Sequence, residues 1–385
     1  MLPERGVFVP RGKQGQGTIR IHDKKRRRYQ CKVCKKTFGE RRGTMFEGLR
    51  KPINLIVIVV TLLSYGCPVQ AIVQAFGLDE RTVADWRDRA GNHCQQVHAA
   101  IVEQGQWDLI HVQADEIRVK GRKMGAWMGL AMMVSTRLWL AGTVQVSRDK
   151  GLADALLGQV RRAGQKLRPL LVLTDGWAAY PGSIQRAFRE KIKVTPGPGR
   201  ASLQVWPNLH IGTIIKRSEK KRVVEITRNM AHGVLEQATH LLELSRGGKD
   251  LNPAFIERLN GTFRERLASL TRKSRHAAAR LRSLHTGMDV IGCTYNFCLA
   301  HQELSKDKHW GTACTPAMAS GLTDHLWSVG ELLSYKVAPA PWVEPKRRGR
   351  RPKLARPQLT GTKGRPLASR PLLRLRKGAL CSTTG

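Results

Sequence analysis

The sequence predicts an α/β protein in which a mixed sheet with flanking helices follows a helical segment and a short, basic, cysteine-containing start. Two observations lead there. From Trp107 the apolar residues change from helical spacing to the two-residue alternation of strands, and three such runs precede a helix. The stretch "PLLVLTDGW" then sets four apolar residues in succession, Leu170 to Leu173, which marks a strand buried on both faces.

Charge narrows the class of partner. The 385 residues hold 67 Lys+Arg against 29 Asp+Glu, a net charge of +38. That excess disfavours an ordinary metabolic enzyme and points to a polyanion, most simply nucleic acid. Residues 1–51 carry 16 basic and 4 acidic side chains, and from Pro345 onward there are 13 basic residues and no acid. Both ends therefore read as arms that grip a phosphate backbone. The start "MLPERGVFVPRGK" lacks the apolar core of a signal peptide. Eight cysteines without a regular framework then suggest reduced thiols in a cytoplasm. The apolar run Ile53–Leu63 is too short to span a bilayer and reads as a buried helix, so no membrane partner is expected.

Along the chain, residues 1–50 form a basic region around one CxxC pair, Cys31 and Cys34, which are candidate zinc ligands. Two thiolates do not close a tetrahedral site, and residues 1–30 add no cysteine and only His22. The region is read as the remnant of a zinc ribbon. Residues 52–104 read as three helices. Pro68 suits the first position of the second, "PVQAIVQAF", and Asp79 suits the N-cap of a third running to Gln104. A helix, a glycine-containing turn and a capped basic helix outline a helix-turn-helix. Val83 and Trp86 would pack inward, leaving Arg81, Thr82, Asp85, Arg87 and Arg89 to solvent or a DNA groove; an ordinary three-helix linker is the alternative.

Residues 107–335 read as the α/β domain. "DLIHVQADEIRV" is one strand, and "GAWMGLAMMVSTRLWLAGTVQV" is a hairpin turning near Ser135–Arg137. "DKGLADALLGQVRRAG" is helical, and the buried strand comes next. "NPAFIERLNGTFRERLASL" is a later helix with Asn252 as N-cap and Pro253 first inside. Its stripe of Ile256, Leu259, Phe263, Leu267 and Leu270 should face the core, and Glu257, Asn260, Gly261 and Arg264 should share an adjacent face. Residues 343–385 are Pro- and Arg-rich and acid-free, the composition of a disordered basic tail. Its "KGRP", Lys363–Pro366, resembles an AT-hook core and is read as non-specific backbone affinity.

The chemistry rests on acids. Asp115 lies toward the end of the first strand, Asp175 at the tip of the buried strand and Glu257 on the late helix. Asp175 read alone is a turn residue that caps the next stretch of chain. On neighbouring strands, two carboxylates a few ångströms apart repel by about 1–4 kcal/mol, and a hard cation such as Mg²⁺ or Mn²⁺ removes that repulsion. Bound cations between carboxylates serve phosphoryl transfer. Glu116 competes with Asp115, and strand alternation lets only one of them join Asp175; Asp115 is preferred, partly on the resemblance given below. Arg264, two turns after Glu257, suits a bidentate phosphate grip, and Gly261 lets a backbone come close.

"YQCKVCKKTFGERRGTMF", "QADEI", "LTDGWAAY" and "AFIERLNGTFRERLASLTRKSR" followed by "YNF" resemble the DDE transposases of bacterial insertion sequences, in particular the insertion-sequence-one-like group. The likeness covers most of residues 15–305. It implies a ribonuclease-H-like catalytic domain that uses Mg²⁺ to cut element ends and join 3′-OH groups to target DNA. It further implies a homo-oligomer on paired ends and a nucleoid location in a bacterial cytoplasm. Carried over residue by residue, the triad is Asp115, Asp175 and Glu257, with Arg264 as the basic partner. Arg272, Lys273 and Arg275 would lie along the DNA. Tyr295, Asn296 and His301 match in type without an assigned role. A non-catalytic DNA-binding relic or regulator, and a nuclease that cuts without joining, are the alternatives.

Overall fold

The computed structural model describes residues 19–32, 35–120, 125–192, 201–220, 222–270, 280–306 and 313–337. Cys34, Arg272, Lys273, Arg275 and the 343–385 tail lie outside these residues. Three short antiparallel strands come first, β1 (Ile19–Asp23), β2 (Arg28–Cys31) and β3 (Thr37–Gly39). Tyr29 and Phe38 stack across β2 and β3 with ring centroids 5.9 Å apart, and Cys31 is buried at the end of β2.

Three helices come after them: α1 (Ile53–Ser64), α2 (Val69–Phe76) and α3 (Glu80–Ile101). Among the described residues no helix is long and apolar enough to cross a membrane. Pro68 takes the cap position of α2 rather than its first turn. Gly77 then turns the chain at φ +59°, where a Cβ would be strained. Asp79 caps α3 by accepting from the Arg81 N–H at 2.8 Å, and Val83 and Trp86 are buried, all as expected.

The third helix does not stand apart as a reading helix. It lies along α8 (Leu281–Cys298), so closely that a Cβ on Gly91 would fall 2.5 Å from the Thr286 backbone. Arg87 is on that seam, where its Nη2 donates to Asp88 and, at 3.0 Å, to Ser283 Oγ. Close helix packing holds Arg87, expected at a DNA groove, half-buried against α8. Arg81 is exposed and Thr82 half-buried in the first turn.

The main sheet has six strands in the order β11-β10-β7-β4-β5-β6. Strands β4 (Ile110–Lys120), β5 (Gly125–Met133) and β6 (Leu138–Gln145) form an antiparallel meander. The expected turn is there, with Arg137 at φ +62°. Helix α4 (Lys150–Ala163) leads to β7 (Leu170–Asp175), which runs parallel to β4. After α5 (Ala179–Ala187), β8 (Arg189–Ile192) and β9 (Ser202–Val205) form a separate two-stranded sheet. Strand β10 (Leu209–Glu219) joins β7 in parallel, and β11 (Arg222–His232) closes the edge antiparallel to β10. Helices α6 (Leu235–Leu244) and α7 (Ala254–Arg266) come next, and short helices α9 (Pro316–Ala319) and α10 (Val329–Ser334) pack against α8.

The sheet is covered on both faces. Gly129 of β5 meets Leu156 of α4 on one side, while Trp139 of β6 meets Gly292 of α8 on the other. Asn296, which had no assigned role, clasps β6: its Oδ1 accepts from the Trp139 N–H and its Nδ2 donates to the Trp139 carbonyl, both at 2.9 Å. Tyr295 is buried beside it. His301 donates its backbone N–H to the Cys314 carbonyl at 2.8 Å. One apolar cluster runs from Ile56 through Val83, Trp86, Val112, Trp139 and Phe263 to Leu333, so the helical segment and the sheet share a core.

Helix α7 starts later than its sequence suggests. Pro253 precedes the helix, and Asn252 Oδ1 accepts from the Ala254 N–H at 3.0 Å. The helix stops at Arg266, and Ala268–Leu270 continue as one 3₁₀ turn. Ile256, Leu259, Phe263 and Leu270 are buried as the stripe requires, with Leu267 half-buried.

Candidate functional site

Alternation along β4 sorts its polar side chains between the two layers of helices. His111, Gln113 and Asp115 face α6 and α7, and Glu116 faces α5. His111 Nδ1 lies 3.0 Å from Ser245 Oγ, and burial lowers its pKa to about 3, so the ring is neutral. Gln113 serves α7 from across the sheet. Its Oε1 accepts from the Phe255 and Ile256 N–H groups at 3.2 and 3.0 Å, and its Nε2 donates to the Asn252 carbonyl at 2.7 Å. Two orphan donors of the helix start are thus satisfied by a strand.

Asn260 makes the second tie. It is buried, and its Nδ2 donates to Asp115 Oδ2 at 2.7 Å, while Asp115 Oδ1 accepts from the Glu116 N–H at 2.8 Å. Asn260 was expected on a DNA-facing surface; that expectation is corrected. It borders the apolar stripe of α7, and Asp115 of the sheet accepts its amide.

The paired ladder between β4 and β7 ends at Gln113 and Leu173. Two residues further on, at the same offset, stand Asp115 and Asp175. Asp175 is half-buried at the strand tip. Its Oδ1 accepts from the Trp177 N–H at 3.0 Å, the turn role read from the sequence, and its Oδ2 accepts from Arg148 Nη2 at 3.1 Å. Gly176 is needed beside it, because a Cβ there would come within 2.7 Å of Ile215.

Glu116 joins as well. Its Oε2 accepts from the Tyr180 hydroxyl at 2.8 Å, and its Oε1 pairs with Arg148. Oxygens of Asp115, Glu116 and Asp175 lie within 4.8 Å of one another. The expectation that only one of the adjacent acids could join Asp175 is therefore corrected. Alternation does send them to opposite faces, but past the end of the ladder Asp175 sits at the rim where both can reach it.

Glu257, in the first turn of α7, is exposed and pairs with Lys216 of β10. It lines a hollow of about 490 Å³ together with Asp175, Arg148, Lys216, Trp177 and Pro253. Among the described residues the three-acid group excludes Glu257, which faces Asp175 across the hollow. Its charge still reaches Asp115. Burial first, then Glu116, and then Asp175 and Glu257 push Asp115 up to about 7, against the pull of the Glu116 N–H. Burial and then Asp175 raise Glu116, against Tyr180 and Arg148. Burial and then Glu116 hold the Tyr180 hydroxyl well above its usual range. A crowd of carboxylates that raise one another is a place where added positive charge is favoured.

No protein-family model matches this chain, and no curated protein matches it either.

The donor set suits a hard divalent cation. Three carboxylates that close could hold one metal ion between them. Of the basic residues expected at DNA, Arg264 is half-buried in the last turn of α7. Gly261 is open, with nothing within 4 Å of where a Cβ would stand. A larger hollow of about 760 Å³ lies away from this acid group and is lined by six basic residues, Lys25, Arg26, Arg27, Arg41, Arg42 and Lys336, with Glu40 and Glu47 among them.

Sequence reasoning missed Gln113, Tyr180, Arg148 and Lys216. Gln113 shares the period of Asp115, and Tyr180 closes "LTDGWAAY", so both carried a usable signal. Arg148 and Lys216 carried none.

Proposed function

We propose that this chain is a DNA transposase of the DDE type, acting through a ribonuclease-H-like catalytic domain on phosphodiester bonds. The observation that carries the reading is the meeting of Asp115 and Glu116, midway along β4, with Asp175 at the tip of β7, just past the end of the parallel ladder, and with Glu257 lining the same hollow as Asp175. Three antiparallel strands, a helix, a parallel strand and later helices support the fold assignment. The net charge of +38 and the basic hollow near β3 support a polyanionic substrate.

In this reading Asp115 and Asp175, with Glu116 beside them, would hold Mg²⁺ or Mn²⁺. Such a cation supplies charge stabilisation to the attacking and leaving oxygens of phosphoryl transfer. The chain's own residues position the partners. Gln113 and Asn260 fix α7 to β4, so Glu257 keeps its place opposite Asp175. Arg264, on the same helix, would grip a phosphate. Trp177 lines the hollow, and the Arg148 guanidinium lies against the rings of Trp177 and Trp127. No covalent protein intermediate is needed, because positioning and electrostatics carry the chemistry.

The test is a joining assay with the purified full chain, Mg²⁺, duplexes from the DNA flanking its gene with free 3′-OH ends, and a supercoiled plasmid. Joined product is expected. Nicking of the plasmid without joining would make the chain a nuclease, and binding without either would make it a DNA-binding relic.

A further inference from the structure

The two basic side chains of the acidic hollow have no part in the phosphoryl transfer proposed for it. Arg148 stands just before α4, and its Nη2 pairs with both Glu116 and, at 3.1 Å, Asp175 Oδ2. Lys216 leaves β10 two residues after Ile214, the ladder partner of Asp175, and pairs with Glu257. Each carboxylate that faces the hollow is thereby engaged by a cation that faces it too. Arg148 occupies the carboxylate oxygens that a divalent ion would need.

Its surroundings favour exchange over a permanent lock. The guanidinium lies 4.6 Å from the Trp177 ring centroid and 5.3 Å from that of Trp127, contacts that keep it in the hollow after it lets go of the acids. Its fork matches a phosphate as well as a carboxylate. Lys216 is one third exposed on a flexible stem and can turn from Glu257 to a nearby anion.

Resting on the metal reading of the carboxylates, we infer that Arg148 and Lys216 are exchangeable counter-ions: a divalent cation displaces Arg148 from Glu116 and Asp175, its charge loosens Lys216 beside it, and both then bind the phosphates of the DNA at the same hollow. Metal and DNA consequently favour each other's binding, since each takes what the other releases. Arg148 and Lys216 become substrate-binding residues only when the acids are otherwise neutralised.

The experiment is a Mn²⁺ titration of the full chain, read by the electron paramagnetic resonance of free Mn²⁺, with and without a random-sequence duplex. Wild type is compared with Arg148→Gln, Lys216→Gln, Arg148→Lys and the double glutamine variant. Without DNA, the glutamine variants should bind Mn²⁺ about two- to five-fold more tightly, the scale of a partly exposed ion pair. Arg148→Lys, which keeps the charge, should stay near wild type. DNA should tighten Mn²⁺ binding to wild type, and the double variant should lose that gain. Equal or weaker Mn²⁺ binding by both glutamine variants overturns the exchange and leaves the metal site standing. If wild type binds no Mn²⁺, or Asp175→Asn binds it equally well, the metal reading fails and the exchange falls with it. Lys216→Gln, at an exposed position, decides the matter should Arg148→Gln fold poorly.

Discussion

Asn260 donates its Nδ2 to Asp115 Oδ2 across 2.7 Å, joining the helix that carries Glu257 to the strand that carries the first aspartate. One bond therefore sets the relative position of two acids 142 residues apart in the chain. Removing it with Asn260→Ala leaves a buried carboxylate short of a donor, which costs about 1–3 kcal/mol. Urea unfolding should show a loss of that size. Asn260→Asp should lose more, because it sets a fourth carboxylate against Asp115.

Gln113 is the second tie between β4 and α7. Gln113→Ala deprives the Phe255 and Ile256 N–H groups of their acceptor, a loss of about 0.5–2 kcal/mol on the scale of helix caps. Because α7 then starts loosely, catalysis should fall more than stability. Comparing the denaturation midpoint with the joining rate of the same variant checks this.

The raised pKa of Asp115 has a definite sign. A group that holds its proton more tightly folded than unfolded favours the fold at low pH, and that advantage fades as pH rises. For Asp115 the window runs from the ordinary carboxylate value of 3.8 to about 7. In a chelator, the melting temperature of wild type should therefore fall relative to Asp115→Asn as pH rises from about 4 to 7. Mg²⁺ should restore wild type above that window and leave the variant unchanged. A wild-type minus variant difference that is flat with pH would remove the burial and repulsion assigned to Asp115.

Asp175→Asn separates chemistry from structure. The asparagine side-chain oxygen can still accept from Trp177, so the strand tip should keep its shape. The charge is lost. Strand cleavage should fall by about 10²–10³-fold or more, as when a transition-state-stabilising group is removed. DNA binding, measured by fluorescence anisotropy, should stay close to wild type, and cleavage at the wild-type rate would take Asp175 out of the mechanism.

The elements that carry the acids were readable because each rests on local physics. The alternation of "IHVQADEI", the uninterrupted "LLVL" and the stripe of Ile256, Leu259 and Phe263 fix β4, β7 and α7 without help from distant residues. What escaped was decided at a distance. Asn260 sits beside the stripe, and only the arrival of Asp115 from another element makes it interior. Arg87 looked like a groove-reading residue until Gly91 allowed α3 and α8 to close on it. Arg148 lies on a short connection 27 residues before Asp175, where no periodicity links the two. Cross-sheet pairings of this kind leave no spacing in the sequence.

The most direct measurement is diffraction at the manganese absorption edge from crystals of the full chain grown with Mn²⁺. The account predicts an anomalous peak within about 2.2 Å of oxygens from Asp115 and Asp175, at the metal–oxygen distance expected of a hard divalent ion. Arg148 should have turned away from Asp175 in the same maps. No peak at saturating Mn²⁺, with Arg148 still spanning Glu116 and Asp175, would contradict the metal site and the phosphoryl-transfer chemistry built on it.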